Sequence, residues 1–272
     1  MNTGVWRRSE LVAELGEHRV RKLVTAGRLI HVGYGWYASP VAKQKAVSAV
    51  RVGGRLGCLS GCEQHELWVP PHEGLHVDFN RQVPAVLPPG IVGHRDRDIG
   101  RHSAVRPLLD CLRQVVRHHD TETALIILDS AINRGLLTEP DVRQLVTECP
   151  KPTHRVLRYL DGRADSGTET RVRYFFQRRR VPVEPQASVP GVGWVDLRVG
   201  QSLMIECDSR AHHTGEENYA RDHGRNLVLV SDDNTVLRLT FEQVFYQWPR
   251  TQAFLTRMIQ ARLHRRRPLS AK

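Results

Sequence analysis

No run of 18 or more apolar residues occurs anywhere in the 272-residue chain, so a membrane-spanning helix is not expected. The opening MNTGVWRRSELVAEL has no apolar stretch of the signal-peptide kind. The five cysteines are an odd number and are not spaced as a disulfide framework, which points to a reducing, cytoplasmic setting. Cys58, Cys62 and His65 have no fourth metal ligand at a suitable spacing after them, and buried, inert thiols are the expectation there. Internal repeats and low-complexity tracts are also lacking. The middle of the chain has no excess basic charge. Residues 1–40 carry +3, residues 41–150 carry zero and residues 151–272 carry +8 of the net +11. Basic ends and a neutral middle suit a chain whose ends touch a polyanion, although a solvated, solubilising surface would look the same.

What is present centres on residues 194–213, WVDLRVGQSLMIECDSRAHH. Two apolar runs flank a short Gly-Gln link and read as a β-hairpin. Glu206 and Asp208 are two apart and share a strand face, and Asp196 can reach them across the hairpin. Carboxylates brought together in this way call for protons or a cation, and a hard divalent metal such as Mg²⁺ or Mn²⁺ suits them. Solvated turn acids are the plainer explanation for any one of them. Further on, HTGEENYARDHGRNLVLV reads as a helix bearing Asp222 and Arg225, and TVLRLT as a strand bearing Arg238.

The order Asp196, then Glu-x-Asp-x-x-x-His-His, then Arg-Asp-x-x-Arg, then a strand reading Val-Leu-Arg resembles the Vsr-like domains. These are relatives of the very-short-patch-repair endonuclease within the PD-(D/E)XK, or restriction-endonuclease-like, superfamily. The resemblance covers roughly residues 165–262. It implies a metal-binding Asp at Asp196, the acidic residue of the (D/E)xK element at Glu206, and a proton-transfer histidine at His213; alternation of neighbouring side chains would then point His212 away. It also matches Glu169 to the glutamate that often opens the first helix; a simple cap on the helix dipole is the alternative. The metal would sit on Asp196, Glu206 and the backbone carbonyl of Cys207. Asp208 stands where the superfamily usually has Lys, as is common in this branch, and Ser209 where the branch usually has Gly.

Residues 1–40 read as a winged helix-turn-helix. SELVAELG is a short helix with Ser9 as N-cap, GEHRVRKLVTAGRL a second one stopped at Gly27, and LIHVGYGWYAS a two-stranded wing turning at Gly33 to Gly35. Arg19, Arg21, Lys22 and Arg28 decorate the second helix, which would enter a DNA groove; docking of a protein is the other use of such a module. The segment resembles the N-terminal domain of AbiEi-type antitoxins through Arg21, Leu23 (one residue early), Gly27, Leu29, Gly35 and Tyr37. The stretches LLDCLRQVV and ALIILDSAINRGLLT resemble the middle of the same proteins.

Residues 41–150 read as an α/β connector. KQKAVSAVRVGGRL begins with a helix, LSGCEQHELWVP, HVDFNR and IVGHRDRD supply strands and turns, and three helices follow, with His118, His119 and Asp120 as a polar helix end. Residues 151–272 begin with a helix and loop, then SGTETRVRYFFQRRR as a helix whose apolar face is Val172, Phe175 and Phe176. Arg178, Arg179 and Arg180 at its end could follow a phosphate backbone or merely face water. A helix broken before Pro249 and a basic tail at 265–267 close the chain.

The expected class is α/β (α+β overall): a winged helix-turn-helix at 1–40, a connector at 41–150, and a restriction-endonuclease-like mixed sheet flanked by helices at 151–272. The expected activity is Mg²⁺- or Mn²⁺-dependent cleavage of DNA. The catalytic set is Asp196, Glu206, Asp208, His213 and Glu169; the DNA contacts are Arg19, Arg21, Lys22, Arg28, Arg178, Arg179 and Arg225. A non-catalytic DNA-binding antitoxin, with a toxin as partner, is the alternative. Both place the protein in the cytoplasm, at the nucleoid, away from membranes.

Overall fold

The computed structural model describes residues 3–79, 84–95, 103–189, 193–208 and 234–265. They form a mixed α/β structure with three sheets, and none of their helices is long and apolar enough to cross a membrane. Residues 1–120 with 144–153 make one unit, and residues 121–143 with 154–272 make a second. Ser209, His212, His213, Asp222, Arg225, Arg266 and Arg267 lie outside the described residues.

The first unit opens with β1 (Val5–Arg7), α1 (Arg8–Leu15), α2 (Glu17–Thr25), β2 (Ile30–Gly33) and β3 (Trp36–Ala38). The strands form an antiparallel sheet in the order β1-β3-β2. Ser9 is not the N-cap. The helix starts one residue before it, and Glu10 reaches back to accept from the Arg7 N–H at 3.2 Å. Gly27, at φ +66°, ends α2 by letting the Arg28 N–H turn back to the Leu23 carbonyl at 2.9 Å. Leu11, Val20 and Leu29 make a small core between the two helices and the sheet.

The sheet's other side carries Val5, Val32, Trp36 and Ala38 into a core shared with Ala46, Val47, Ala49 and Val50 of α3 (Gln44–Arg51), and with Leu56, Val77 and Phe79. A boundary at residue 40 therefore cuts a continuous core, and residues 1–40 belong to the same unit as the chain up to 120. Next come β4 (Arg55–Leu56), α4 (Cys58–Gln64), β5 (Leu75–Asp78), β6 (Ile91–His94) and α5 (Leu108–His118). The sheet order is β4-β5-β6, with the last pair parallel.

The segment read as strand and turn from residue 59 onward begins as helix α4 instead. A short apolar run does not by itself separate the two forms. Close packing decides: a Cβ on Gly61 would stand 2.4 Å from the Cys111 sulfur. Beneath α4 lies the fully buried Asp78, paired with the buried Arg106 at 3.2 Å and receiving the Gln114 amide at 2.9 Å. All five cysteines are free and buried.

In the second unit, α6 (Thr121–Asn133) packs with α8 (Gly167–Arg178). Buried Arg173 of α8 donates to buried Asp129 of α6, to the Tyr159 carbonyl at 2.6 Å and to Gln177 at 2.8 Å. Asp129 also accepts from the Asp161 N–H at 2.9 Å and the Thr170 hydroxyl at 3.1 Å. This pairing draws residues 121–143 away from the expected 41–150 segment. The connecting α7 (Glu139–Thr147) follows α6. The third sheet has the order β10-β9-β8-β7, built from β7 (Val183–Val189), β8 (Gly193–Val199), β9 (Leu203–Asp208) and β10 (Thr235–Thr240). Strands β8 and β9 form the expected hairpin, and β10 runs parallel to β9. Val172, Phe175 and Phe176 of α8 cover Leu197, Leu203, Ile205 and Leu239, together with α9 (Phe241–Phe245) and α10 (Trp248–Gln260).

Candidate active site

The hairpin ladder stops short. Strands β8 and β9 pair from Val199↔Leu203 to Leu197↔Ile205. One residue farther, the Asp196 carboxylate accepts the Cys207 N–H at 2.7 Å. A strand residue points its N–H and C=O to the same neighbour, so the Cys207 carbonyl faces the side on which Asp196 lies.

The break also shows in the side chains. Leu197 belongs to the helix-covered cluster, whereas Val195, two residues earlier, packs with Ala187, Val189 and Met204 in another. Met204 alternates with Leu203 and Ile205, so this second cluster is on the opposite sheet face. The switch falls at Asp196, and across from it on β7 is Gln186, at φ +48°. The kink turns Asp196 out of ordinary alternation and toward the ladder's open end.

Glu169 arrives from the helix side. It is the third residue of α8, and Ser166, the N-cap, accepts its N–H at 3.2 Å. Its own carboxylate accepts from Ser166 Oγ at 2.8 Å, the Asp165 N–H at 2.9 Å and the Gln186 amide at 3.0 Å. The capping role is thus real. Burial and then the nearby Asp196 charge push the Glu169 pKa up to about 7 from an ordinary 4.5.

The folded state therefore holds this proton more tightly than the unfolded chain does. The resulting stabilisation is complete below about pH 4.5 and is lost as pH rises through 7. Glu169→Gln removes the titration. Between pH 5 and 7 the wild type should lose on the order of 1–3 kcal/mol relative to this variant, read from denaturant unfolding. A gap that stays constant with pH would show that Glu169 does not titrate there. The slope is the readout, since the amide also perturbs the cap.

Glu206 and Asp208 share the face of Met204, the first half-buried and the second exposed. Arg238 of β10 is the register partner of Glu206, and Thr240 that of Asp208. The buried Cys207 thiol feels all four acids: burial, Asp196, Glu169, Glu206 and Asp208 each raise its pKa. They gather at one end of the sheet but do not close into the expected trio. Asp196, Glu206 and Asp208 do not bring three ligand atoms within 4.8 Å of one another. The exposed Asp208 ends β9, while the kink brings Asp196 next to Glu169 on the helix side. Gln186, which sequence reasoning passed over, bridges β7 to Glu169. Its strand carries Pro185 and lacks clear alternation, so no period-two signal marked it.

The basic residues fall in two places. Arg19, Arg21, Lys22 and Arg28 are all exposed, in or just after α2, with Arg21 paired to Glu17 at 3.1 Å. In the second unit Arg178, Arg179 and Arg180 are exposed at the end of α8. Arg179 lies over the Phe175 ring, 3.6 Å from its centre. Arg179 and Arg180, with Arg262, His264 and Arg265, line a cleft of about 780 Å³ beside the hairpin turn at Gly200. That turn is at the closed end of the hairpin. At about 3.3 Å per residue, Asp196 and Glu206 lie on the order of 10–20 Å along it, so these arginines stand at the end of the hairpin away from the acids.

Cys62 and His65 do not join Cys58 in a ligand set; the His65 ring nitrogen lies 2.8 Å from the Arg106 carbonyl. No family model matches the chain, and comparison with curated proteins gives no match.

Proposed function

We propose that the second unit is a Mg²⁺- or Mn²⁺-dependent nuclease acting on DNA, and that the first unit is a winged helix-turn-helix contributing DNA contacts through Arg19, Arg21, Lys22 and Arg28. One observation carries this reading. At the open end of the β8–β9 ladder, Asp196 is held against the backbone of Cys207 and is electrostatically coupled to Glu169. Support also comes from the described elements: helix α8, the antiparallel strands β7, β8 and β9, and β10 parallel to β9, a mixed sheet with helices against it of the kind the resemblance implies.

Asp196, Glu206 and the Cys207 carbonyl would hold the cation; all are oxygen donors, the kind a hard ion takes. The ion would polarise a phosphoryl oxygen and lower the pKa of a water. Gln186 and Ser166 orient Glu169, and the Cys207 N–H orients Asp196. His213 would move the proton, and the arginine cleft would bind flanking phosphates.

The test is nicking of supercoiled plasmid by the full chain with Mg²⁺, Mn²⁺ or EDTA, using single-stranded, mismatched and duplex DNA. Metal-dependent nicking is expected. DNA binding without nicking under any metal would overturn the enzyme and leave the second reading, a non-catalytic DNA-binding antitoxin with a toxin partner. Two observations favour that second reading: the Glu169 oxygens are already engaged as a cap, and Asp208 stands where an activating Lys is usual.

A further inference from the structure

Three elements and a helix end of the first unit meet at side chains that are distant in sequence. Cys58 starts α4, His76 is on β5 and His94 is on β6, and all three are buried. Their ligand atoms lie within 4.8 Å of one another, the only such group of three among the described residues. His76 Nδ1 is 2.8 Å from His94 Nε2. The fourth member is His119, at the end of α5, with Nε2 3.1 Å from the Cys58 sulfur. The His119 and His76 rings are 5.3 Å apart. Beyond them His72 packs edge-on to His76 and has Nε2 3.2 Å from the Glu63 carboxylate, while His118 lies against His94.

The backbone supplies a second observation. Cys58 is one of few non-glycine residues with positive φ, at +45°, a conformation that costs a β-carbon-bearing residue about 1–3 kcal/mol. Its N–H is fixed in that pose by Gln114 Oε1 at 2.8 Å, and Gln114 is in turn held by buried Asp78. The strain therefore aims the thiol at the imidazoles. On the strands, alternation places His76 and His94 on the same face of the parallel pair β5–β6.

We infer that Cys58, His76, His94 and His119 form a zinc-type site: one thiolate and three imidazoles around a borderline-soft divalent ion. Nitrogen and sulfur donors exclude Mg²⁺ and Ca²⁺ as the natural occupant and select Zn²⁺ or its chemical neighbours. Ligands at the usual 2.0–2.3 Å from zinc lie roughly 3.3–3.7 Å apart in a tetrahedron; Cys58, His76 and His94 already lie within 4.8 Å of one another, and His119, touching the Cys58 sulfur but outside that group of three, would close in on the ion. Four protein ligands make a closed, structural site that staples α4, β5, β6 and the end of α5. On binding, the Cys58 thiol gives its proton to solvent and its sulfur becomes the anionic ligand. The inference is independent of the carboxylate site and of the nuclease reading.

The experiment uses the full chain purified without chelators. Metal content is measured by elemental analysis after dialysis, and the protein is reconstituted with Zn²⁺ and, separately, Co²⁺. One tightly held zinc per chain is expected. The cobalt form should show a thiolate-to-cobalt charge-transfer band together with intense tetrahedral d–d absorption. Cys58→Ser should abolish the charge-transfer band and His119→Ala, at a half-buried helix end, should weaken zinc by at least about tenfold. Cys149→Ser should change neither. The inference is overturned if wild type holds no stoichiometric zinc, if the cobalt spectrum lacks the thiolate band, or if Cys58→Ser retains it. Should Cys58→Ser fail to fold, the wild-type cobalt spectrum and His119→Ala decide alone.

Discussion

Asp196→Asn should slow metal-dependent DNA cleavage by at least about 10²-fold, because removing a ligand charge forfeits several kcal/mol of transition-state stabilisation. The substitution is nearly isosteric, and the asparagine oxygen can still accept the Cys207 N–H that Asp196 accepts at 2.7 Å. The fold should therefore survive. The same change removes the nearby negative charge that helps raise the Glu169 pKa. Glu169 should consequently titrate lower in the variant, a shift readable in its pH-dependent unfolding. Wild-type cleavage by Asp196→Asn would remove Asp196 from the reaction. A lowered Glu169 pKa with unchanged cleavage would keep the electrostatic coupling and discard the catalysis.

The second large effect is on stability. Arg173→Leu should lower the unfolding free energy of the second unit by about 3–5 kcal/mol, the usual cost of stranding one member of a buried ion pair. Arg173 is fully buried and makes three separate donations, to Asp129, Tyr159 and Gln177. Burial already pushes the Asp129 pKa up to about 7, against the opposing pull of Arg173. Without the guanidinium it rises further, so the folded variant prefers a protonated Asp129. Stability gained by protonation is present at low pH and lost as pH rises, so the variant's deficit should be larger at pH 8 than at pH 5. Denaturant unfolding at the two pH values measures both quantities. A deficit under about 1 kcal/mol at pH 8, within the range of exposed pairs, would demote the pair to a minor contact.

Parts of this architecture were legible in the residues alone. The α8 face of Val172, Phe175 and Phe176 and the β8–β9 hairpin follow from 3.6-residue and two-residue periodicity. Gly27 and the glycines around Tyr34 marked true turns because their backbone demands are local. Strand β7 was not legible, since Pro185 and the left-handed Gln186 interrupt its pattern. The carboxylates were legible as residue types and as neighbours, but the kink that brings Asp196 next to Glu169 involves β7 and β8 together and leaves no short-range sequence signal. The thiol–imidazole cluster was least legible. Its Cys58–His119 contact spans 61 residues and its His76–His94 contact spans 18, so no short spacing announces it. The histidines that meet Cys58 do follow it along the chain, but at separations far beyond a short metal-motif spacing.

The interleaving of the two units bears on biosynthesis. Residues 121–143 belong with the second unit, yet the chain then returns through 144–153 to the first. An amino-terminal fragment ending near residue 120 lacks the segment that completes its own unit. Helix α6, with its buried Leu125, Ile126, Ile127 and Leu128, emerges from the ribosome before α8, the helix that neutralises its Asp129. During synthesis at about 5–20 residues per second, that apolar helix stays without Arg173 for several seconds. Chaperone capture of nascent chains should therefore concentrate between the exit of residue 133 and the exit of residue 178. For the same reason, neither unit corresponds to one uninterrupted stretch of coding sequence that could be cut out and expressed intact.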